Sequence, residues 1–336
     1  MSLRIVTLLI YMILATTLLA DDNTTEQSFN GYIDDGHKKF SNYIVDLFSS
    51  VDSSISRWVS DSDANETAEQ KTISSVDEFF KDEKFIEELE RSFIRLRLGT
   101  TLQSKESTDY NYKIRAQIPL SRTKKSFQLF ISDIEDNYFV SDVPTISKET
   151  NTQVGINFFA PIYKDIKSKY SVGISSLTPY ARARYSKDFK ADKWLIQPTQ
   201  QFKYSLESDW SEETDIYFNR ALDENSIFRT TLHRKTQAHV AGFNYAVIFS
   251  HYMTLSSKKG LSFSQQFWGN SKYSCEVAPS PYNGISDYST YASWRQHIFK
   301  RWISLELTSG VSFHRQYEYE PNYVLQFNVD FYFGRI

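Results

Sequence analysis

YVLQFNVDFYF, residues 323–333, alternates with a period of two from Leu325 onward. Tyr323, Leu325, Phe327, Val329, Phe331 and Phe333 fall on one face; Gln326, Asn328, Asp330 and Tyr332 fall on the other. Strict alternation is the signature of a β-strand. A run this long suits a tilted transmembrane strand of about 9–11 residues better than a soluble strand of about five or six. The same period recurs upstream. Ile94, Leu96 and Leu98 oppose Arg95 and Arg97, and Ile114, Ala116 and Ile118 oppose Lys113, Arg115 and Gln117. Trp194, Ile196, Phe202 and Tyr204 oppose Gln197, Thr199, Gln201 and Lys203, while Ile303, Leu305 and Leu307 oppose Ser304, Glu306 and Thr308. One face is apolar and aromatic, the other polar and often charged. A lipid-facing exterior and a watery lumen require that division.

Composition fits this pattern. The chain has 336 residues, 16% of them aromatic, yet its mean hydropathy is −0.46. Disordered chains are poor in aromatics. Helical multi-span proteins need several apolar runs of about 20 residues, and one long run exists, Ile5 to Ala20. Arg4, that run and the following Asp21-Asp22 describe a secretory signal peptide with cleavage expected after Ala20; an uncleaved helical anchor is the alternative. A single cysteine, Cys275, excludes an intramolecular disulfide, and its Pro/Gly-bearing surroundings read as a loop. A net charge of −3 gives no nucleic-acid footprint.

That net charge hides an asymmetry. Residues 21–91 hold 18 acidic and 7 basic side chains, and residues 92–336 carry a net of +7. The acidic part reads as an exported helical segment. Phe40, Tyr43, Ile44, Leu47, Phe48, Val51, Ile55 and Trp58 form one apolar stripe, and residues 60–70 read as a polar linker. A short helix is expected over Ser75 to Glu90, with Val76, Phe79, Phe80 and Phe85 apolar and Ser75 and Glu78 as a capping box. The expected domains are therefore a signal peptide (1–20), an acidic periplasmic helical segment (21–91) and a β-barrel (92–336).

The expected fold is all-β: an antiparallel transmembrane β-barrel preceded by a short periplasmic α-helical segment. Alternating segments number fourteen if Leu177-Thr178-Pro179 is a break and thirteen if residues 169–187 are one strand. A single-chain bacterial barrel takes an even number, with both termini on the periplasmic side. Twelve strands is the central expectation and fourteen the next, with the count least determined between residues 120 and 190. Trp194, Phe267, Trp268, Tyr288, Trp302, Tyr323, Phe331 and Phe333 sit near segment ends and suit interfacial girdles.

The strings SVDEFFKDEKFIEELERSFIRLRLG (75–99), IRAQIPLSRTKKSFQLFISD (114–133) and FNVDFYFGRI (327–336) carry a resemblance. The chain resembles an uncharacterised Gram-negative outer-membrane β-barrel family with a signal peptide and an N-terminal periplasmic helical segment. The resemblance implies the cell outer membrane. It also implies contact with outer-membrane lipid and lipopolysaccharide, handling by the barrel-assembly machinery, and a possible periplasmic protein partner. Many such barrels end on a Phe that the insertion machinery reads; here the aromatic, Phe333, stands three residues early.

Chemistry is sparse. No His is followed two residues later by Ser, the pair that places an imidazole and a hydroxyl on one strand face in outer-membrane lipases. Ser250 and His251 are adjacent and so point to opposite faces. His233 and His239 are six apart with no third ligand nearby in sequence, so neither a metal site nor a cofactor is expected, and no catalytic residues are assigned. The polar face is biased instead. Arg95, Arg97, Lys113, Arg115, Arg182, Arg184, Lys193, Lys203, Arg229, Lys235 and Arg295 are expected to face the lumen, against Asp215, Glu306 and Asp330. A cationic lining concentrates anions. A passive channel for small anionic solutes is one reading. The alternative is a non-conducting structural or assembly barrel whose N-terminal helices bind a periplasmic partner. In that case Arg295, Glu306 and Asp330 would pair inside a filled barrel, and the acidic segment could enter or cap it.

Overall fold

The computed structural model describes residues 38–39, 41–42, 68–80, 93–119, 127–135, 150–272 and 283–334. The signal peptide, all eight residues of the apolar stripe from Phe40 to Trp58 and Cys275 lie outside them. The chain divides into two units, Met1–Leu47 and Phe48–Ile336. In the first, residues 38–39 and 41–42 are helical. The second unit holds the barrel.

Its wall is a meander of long strands: β1 (Phe93–Gln103), β2 (Asp109–Pro119), β3 (Phe127–Glu135), β4 (Thr150–Tyr163), β5 (Ile166–Ser175), β6 (Thr178–Lys187), β7 (Phe189–Ala191), β8 (Trp194–Ser205), β9 (Asp209–Asp223), β10 (Ser226–Gln237), β11 (Asn244–Ser256), β12 (Lys259–Asn270), β13 (Gly284–His297), β14 (Ile303–His314) and β15 (Pro321–Gly334). Each strand pairs antiparallel with its sequence neighbour, and β15 pairs with β1 from Phe93↔Gly334 to Gln103↔Val324. The three-residue β7 continues the line of β6 along β8, and β6 itself pairs with β8. The wall is therefore a closed ring of fourteen staves, which corrects the expected twelve. The reason is local. Ser176 and Leu177 have φ of 47° and 74°, both left-handed, and they join Ser175 to its partner Thr178 in a two-residue hairpin. Such turns usually carry Gly or Asn; here the break foreseen at Leu177-Thr178-Pro179 is made without either, and it selects fourteen strands over thirteen.

Side chains alternate as the sequence reading requires. On β1, Phe93, Arg95, Arg97 and Thr101 are buried inside, while Ile94, Leu96 and Leu98 face out. Neighbouring strands repeat this in register. Val154 opposes Ile174 and Ile156 opposes Val172, all four on the exposed outer surface. An apolar belt of this kind is a liability in water and the required surface in lipid. Among the described residues no helix is long and apolar enough to cross a membrane. Trp302 packs with Phe331 and Phe333 at one rim, and Tyr288 stacks with Phe313 and Tyr319 at the other. Trp268 departs from the expected girdle. It follows Phe267 by one residue, so it points inward, and it is buried. At the far rim the β1–β2 and β14–β15 loops are tied together. The Tyr317 hydroxyl donates to Glu106 Oε1 at 2.6 Å, and burial together with that carboxylate pushes the hydroxyl's pKa up.

The helix α1 (Ala68–Phe80) is the second correction. It starts at Ala68, so Ser75 lies within it and is no N-cap. Ala68-Glu69-Gln70, the end of the stretch read from composition as linker, are good helix formers. Residues 81–90, the rest of the expected helix, lie outside the described residues.

Depth in the belt sets the cost of an outward charge. Leu98→Arg, at the middle of β1, is expected to destabilise the barrel by about 2–4 kcal/mol, and Ile94→Arg, near the rim, by about 0–1 kcal/mol. Urea titration in liposomes, read by heat-modifiable electrophoresis, measures both. Equal costs at the two positions would contradict this assignment of outer face and depth.

Candidate functional site in the barrel interior

Alternation aims one polar row per strand into the lumen, and the expected residues lie there. Arg95, Arg97, Arg182, Arg184, Arg229 and Arg295 are buried, as are Asp215, Glu306 and Asp330. Lys113, Arg115, Lys203 and Lys235 are on the same inward rows and half-buried. Lys193 is not in the wall; it is exposed in the turn between β7 and β8. Lys169 was missed, although it alternates with the inward Ser171 on β5.

The seam between first and last strands carries a charge network. Arg97 stands directly opposite Asp330 and donates from Nε to Oδ1 at 2.7 Å and from Nη2 to Oδ2 at 3.0 Å. Arg295, directly opposite Glu306, donates to its Oε2 at 2.6 Å. Its Nη2 also reaches Asp330 Oδ2 at 3.1 Å, Ser304 Oγ at 2.9 Å and the Tyr332 hydroxyl at 2.8 Å. Arg95 approaches Asp330 at 3.5 Å. Three guanidiniums and two carboxylates from β13, β14, β15 and β1 thus interlock, with every member almost wholly buried. Such a network gives up much hydration and holds while every partner is present.

A second cluster lies on β9 and β10. His233 stands opposite Asp215, with Nδ1 at 2.8 Å from Asp215 Oδ1 and 4.0 Å from Glu213 Oε1. The Trp268 ring covers the imidazole at 5.8 Å. Glu213, Asp215 and His233 offer three ligand atoms within 4.8 Å of one another. This corrects the reading that His233 has no third ligand nearby; the partners are contiguous through strand register, not sequence. Arg184 and Lys235 lie close enough to Glu213 to favour its carboxylate electrostatically.

The interior also holds like charges face to face. Lys169 opposes Arg184 across β5–β6, and Arg182 opposes Lys203 across β6–β8. Like charges directly opposite are unfavourable in a sheet, and these four side chains gather positive charge on three adjacent elements. Arg95 and Arg97 likewise oppose Arg115 and Lys113, beside the seam carboxylate Asp330.

The helix α1 packs against the inner wall. Ile73, Val76 and Phe80 are buried with Leu195 and Ile227, and Phe79 and Tyr252 pack around them. Asp77, also buried, receives Arg229 Nη2 at 2.8 Å and 2.7 Å on its two oxygens. Asp77 escaped the list of interior acids because nothing in its local pattern says that a helix enters the barrel.

No protein-family model and no curated protein sequence matches the chain. Solved structures similar to it are outer-membrane barrels. The "KdgM porin in complex with disordered oligogalacturonate" is 5% identical, with 70% of this chain and 98% of that chain covered and a TM-score of 0.36. A loop L8 deletion mutant of OmpT, an outer membrane protein of Vibrio cholerae, is 7% identical over 72% of this chain and 98% of that chain, with a TM-score of 0.45. A "bacterial polysaccharide outer membrane secretin" is 12% identical over 72% and 98%, with a TM-score of 0.43. The barrel is read from its own strand pairing, and its function from the residues inside.

Removing one partner from the seam leaves buried charge uncompensated. Asp330→Asn is expected to destabilise the barrel by about 3–5 kcal/mol, and replacing Arg295 and Glu306 together by Met to cost much less. Urea unfolding midpoints of the two variants decide the matter; a neutral Asp330→Asn would mean that solvent, not the network, satisfies Arg97.

Proposed function

We propose that the chain is an outer-membrane channel that passes small anionic solutes along a cationic lumen. The observation that carries this reading is the like-charged group Lys169, Arg182, Arg184 and Lys203 on β5, β6 and β8. A low-dielectric wall focuses the field of such inward cations and raises the local concentration of anions. A ring of about fourteen strands is wide enough for a small channel. The exterior belt is read as facing outer-membrane lipid and lipopolysaccharide. Turns of two residues at the rim shared by the starts of β1 and β10, against 14 residues between β3 and β4 and 13 between β12 and β13 at the other rim, favour a periplasmic position for the first rim.

A second reading, a non-conducting structural barrel, is favoured by the seating of α1 in the lumen. An assembly role through that helix is less well supported, because its apolar face is already taken up by Leu195 and Ile227. An enzymatic role has the Asp215–His233 pair to point to, but a pair alone supplies a base and its orienter, not a reacting centre.

Planar-bilayer recording across a KCl gradient tests the channel. The wild type is expected to give a reversal potential on the chloride side, and Arg182→Gln with Lys203→Gln to lower the anion preference without closing the pore. Cation selectivity in the wild type, or an unchanged permeability ratio in the variant, would overturn the assignment of the β5–β8 cations as the selective element.

A further inference from the structure

We propose that Arg229 and its surroundings form a carboxylate-binding site of the lumen, that Asp77 of α1 fills it as a built-in ligand, and that a carboxylate-bearing solute displaces the helix. This rests on the channel reading for its purpose but not for its geometry. The site is made by the wall. Arg229 Nε donates to Asn219 Oδ1 at 2.6 Å, and Asn219 Nδ2 donates in turn to Gln197 Oε1 at 3.1 Å and to the Leu195 carbonyl at 3.3 Å. The rings of Tyr217 and Tyr252 lie 5.8 Å and 5.6 Å from the guanidinium. These groups belong to β8, β9, β10 and β11, so the orientation of Arg229 is set by wall residues and not by the helix. What the guanidinium offers to the lumen is a cationic edge flanked by aromatic rings, which suits a carboxylate on a compact body with some apolar surface.

Asp77 meets that demand as a surrogate. It is buried while the next residue, Glu78, is exposed, so Asp77 alone of this pair is turned into the wall. The seat for the helix is also shaped. A Cβ on Gly260 would stand 2.4 Å from Phe79 Cε1 and 2.7 Å from Phe80 Cζ, so the wall is recessed where the two rings lie. Leu195, Ile227 and Gly260 are each the second residue of their strand, which places the seat at the rim where β1 begins. Twelve residues of chain separate Phe80 from Phe93. Fully extended they span roughly 40 Å at about 3.3 Å per residue, so α1 can leave its seat without disturbing the wall. A tethered carboxylate has an effective concentration on the order of millimolar. A solute competes with it when the cations of β5, β6 and β8 concentrate anions in the same lumen.

The experiment uses the full chain in two parallel measurements. In planar bilayers, Asp77→Asn and, independently, Gly260→Leu are expected to raise the conducting fraction on the order of 5–150-fold over wild type, the ordinary range for coupled sites. Sodium succinate is expected to raise it in the wild type where equal sodium chloride does not. A synthetic peptide of residues 68–80 should block Asp77→Asn again, but not Arg229→Gln. In liposomes, a spin label on Ser75→Cys in a Cys275→Ala background should be immobile and become mobile on adding succinate. Conductance that is equal in wild type and Asp77→Asn, with a label that ignores succinate, overturns the latch and leaves the channel standing. No current from any variant, with a label that succinate mobilises, upholds the carboxylate site and overturns the channel.

Discussion

A chain that crosses lipid must hydrogen-bond every backbone N–H and C=O to itself. That constraint decides the rest of this structure. It forces the strands to close into a ring, and the ring closes where β15 meets β1 over eleven residue pairs. Once each strand has two paired edges, its side chains have two destinations, and the period of two separates them without remainder. The apolar set goes to the lipid, and the polar set is forced together inside a narrow space.

The interior resolves that crowding differently around the ring. On β13, β14, β15 and β1 the charges interlock, and Asp330 is shared by Arg95, Arg97 and Arg295. On β5, β6 and β8 cations oppose cations. Between these regions Glu213, Asp215 and His233 form a compact group, and the helix α1 covers the inner face near Arg229. The seam is thus the cross-linked side of the barrel, and the β5–β8 wall is where inward cations face one another.

Most of the wall was legible because alternation is a local signal. Arg95 and Arg97 against Ile94 and Leu96 can be read without knowing any partner strand. The expected pairing of Arg295, Glu306 and Asp330 was legible for a related reason: meander topology puts successive strands side by side, so three inward charges on the last three strands must be neighbours. The strand count turned on Ser176-Leu177: the break expected at Leu177-Thr178-Pro179 is a two-residue turn there, which gives the fourteen strands held as the second count and not the central twelve. Trp268 was misplaced because segment-end aromatics were read as girdle residues, without letting the alternation that sends Phe267 outward send Trp268 inward.

The sequence by itself determined the period, the faces, the chain's long antiparallel strands and the cationic bias of residues 92–336, since each is a property of neighbouring residues. Tertiary structure alone decided three things. Register set His233 beside Asp215 across eighteen residues of chain, because cross-strand contact depends on where each hairpin turns. Closure set Arg97 against Asp330 across 233 residues, because the ring joins its first strand to its last. Packing set Asp77 on Arg229, because a thirteen-residue helix with one apolar face can bury it in several places, and the recess at Gly260 with a cation beside it exists only after the barrel has formed.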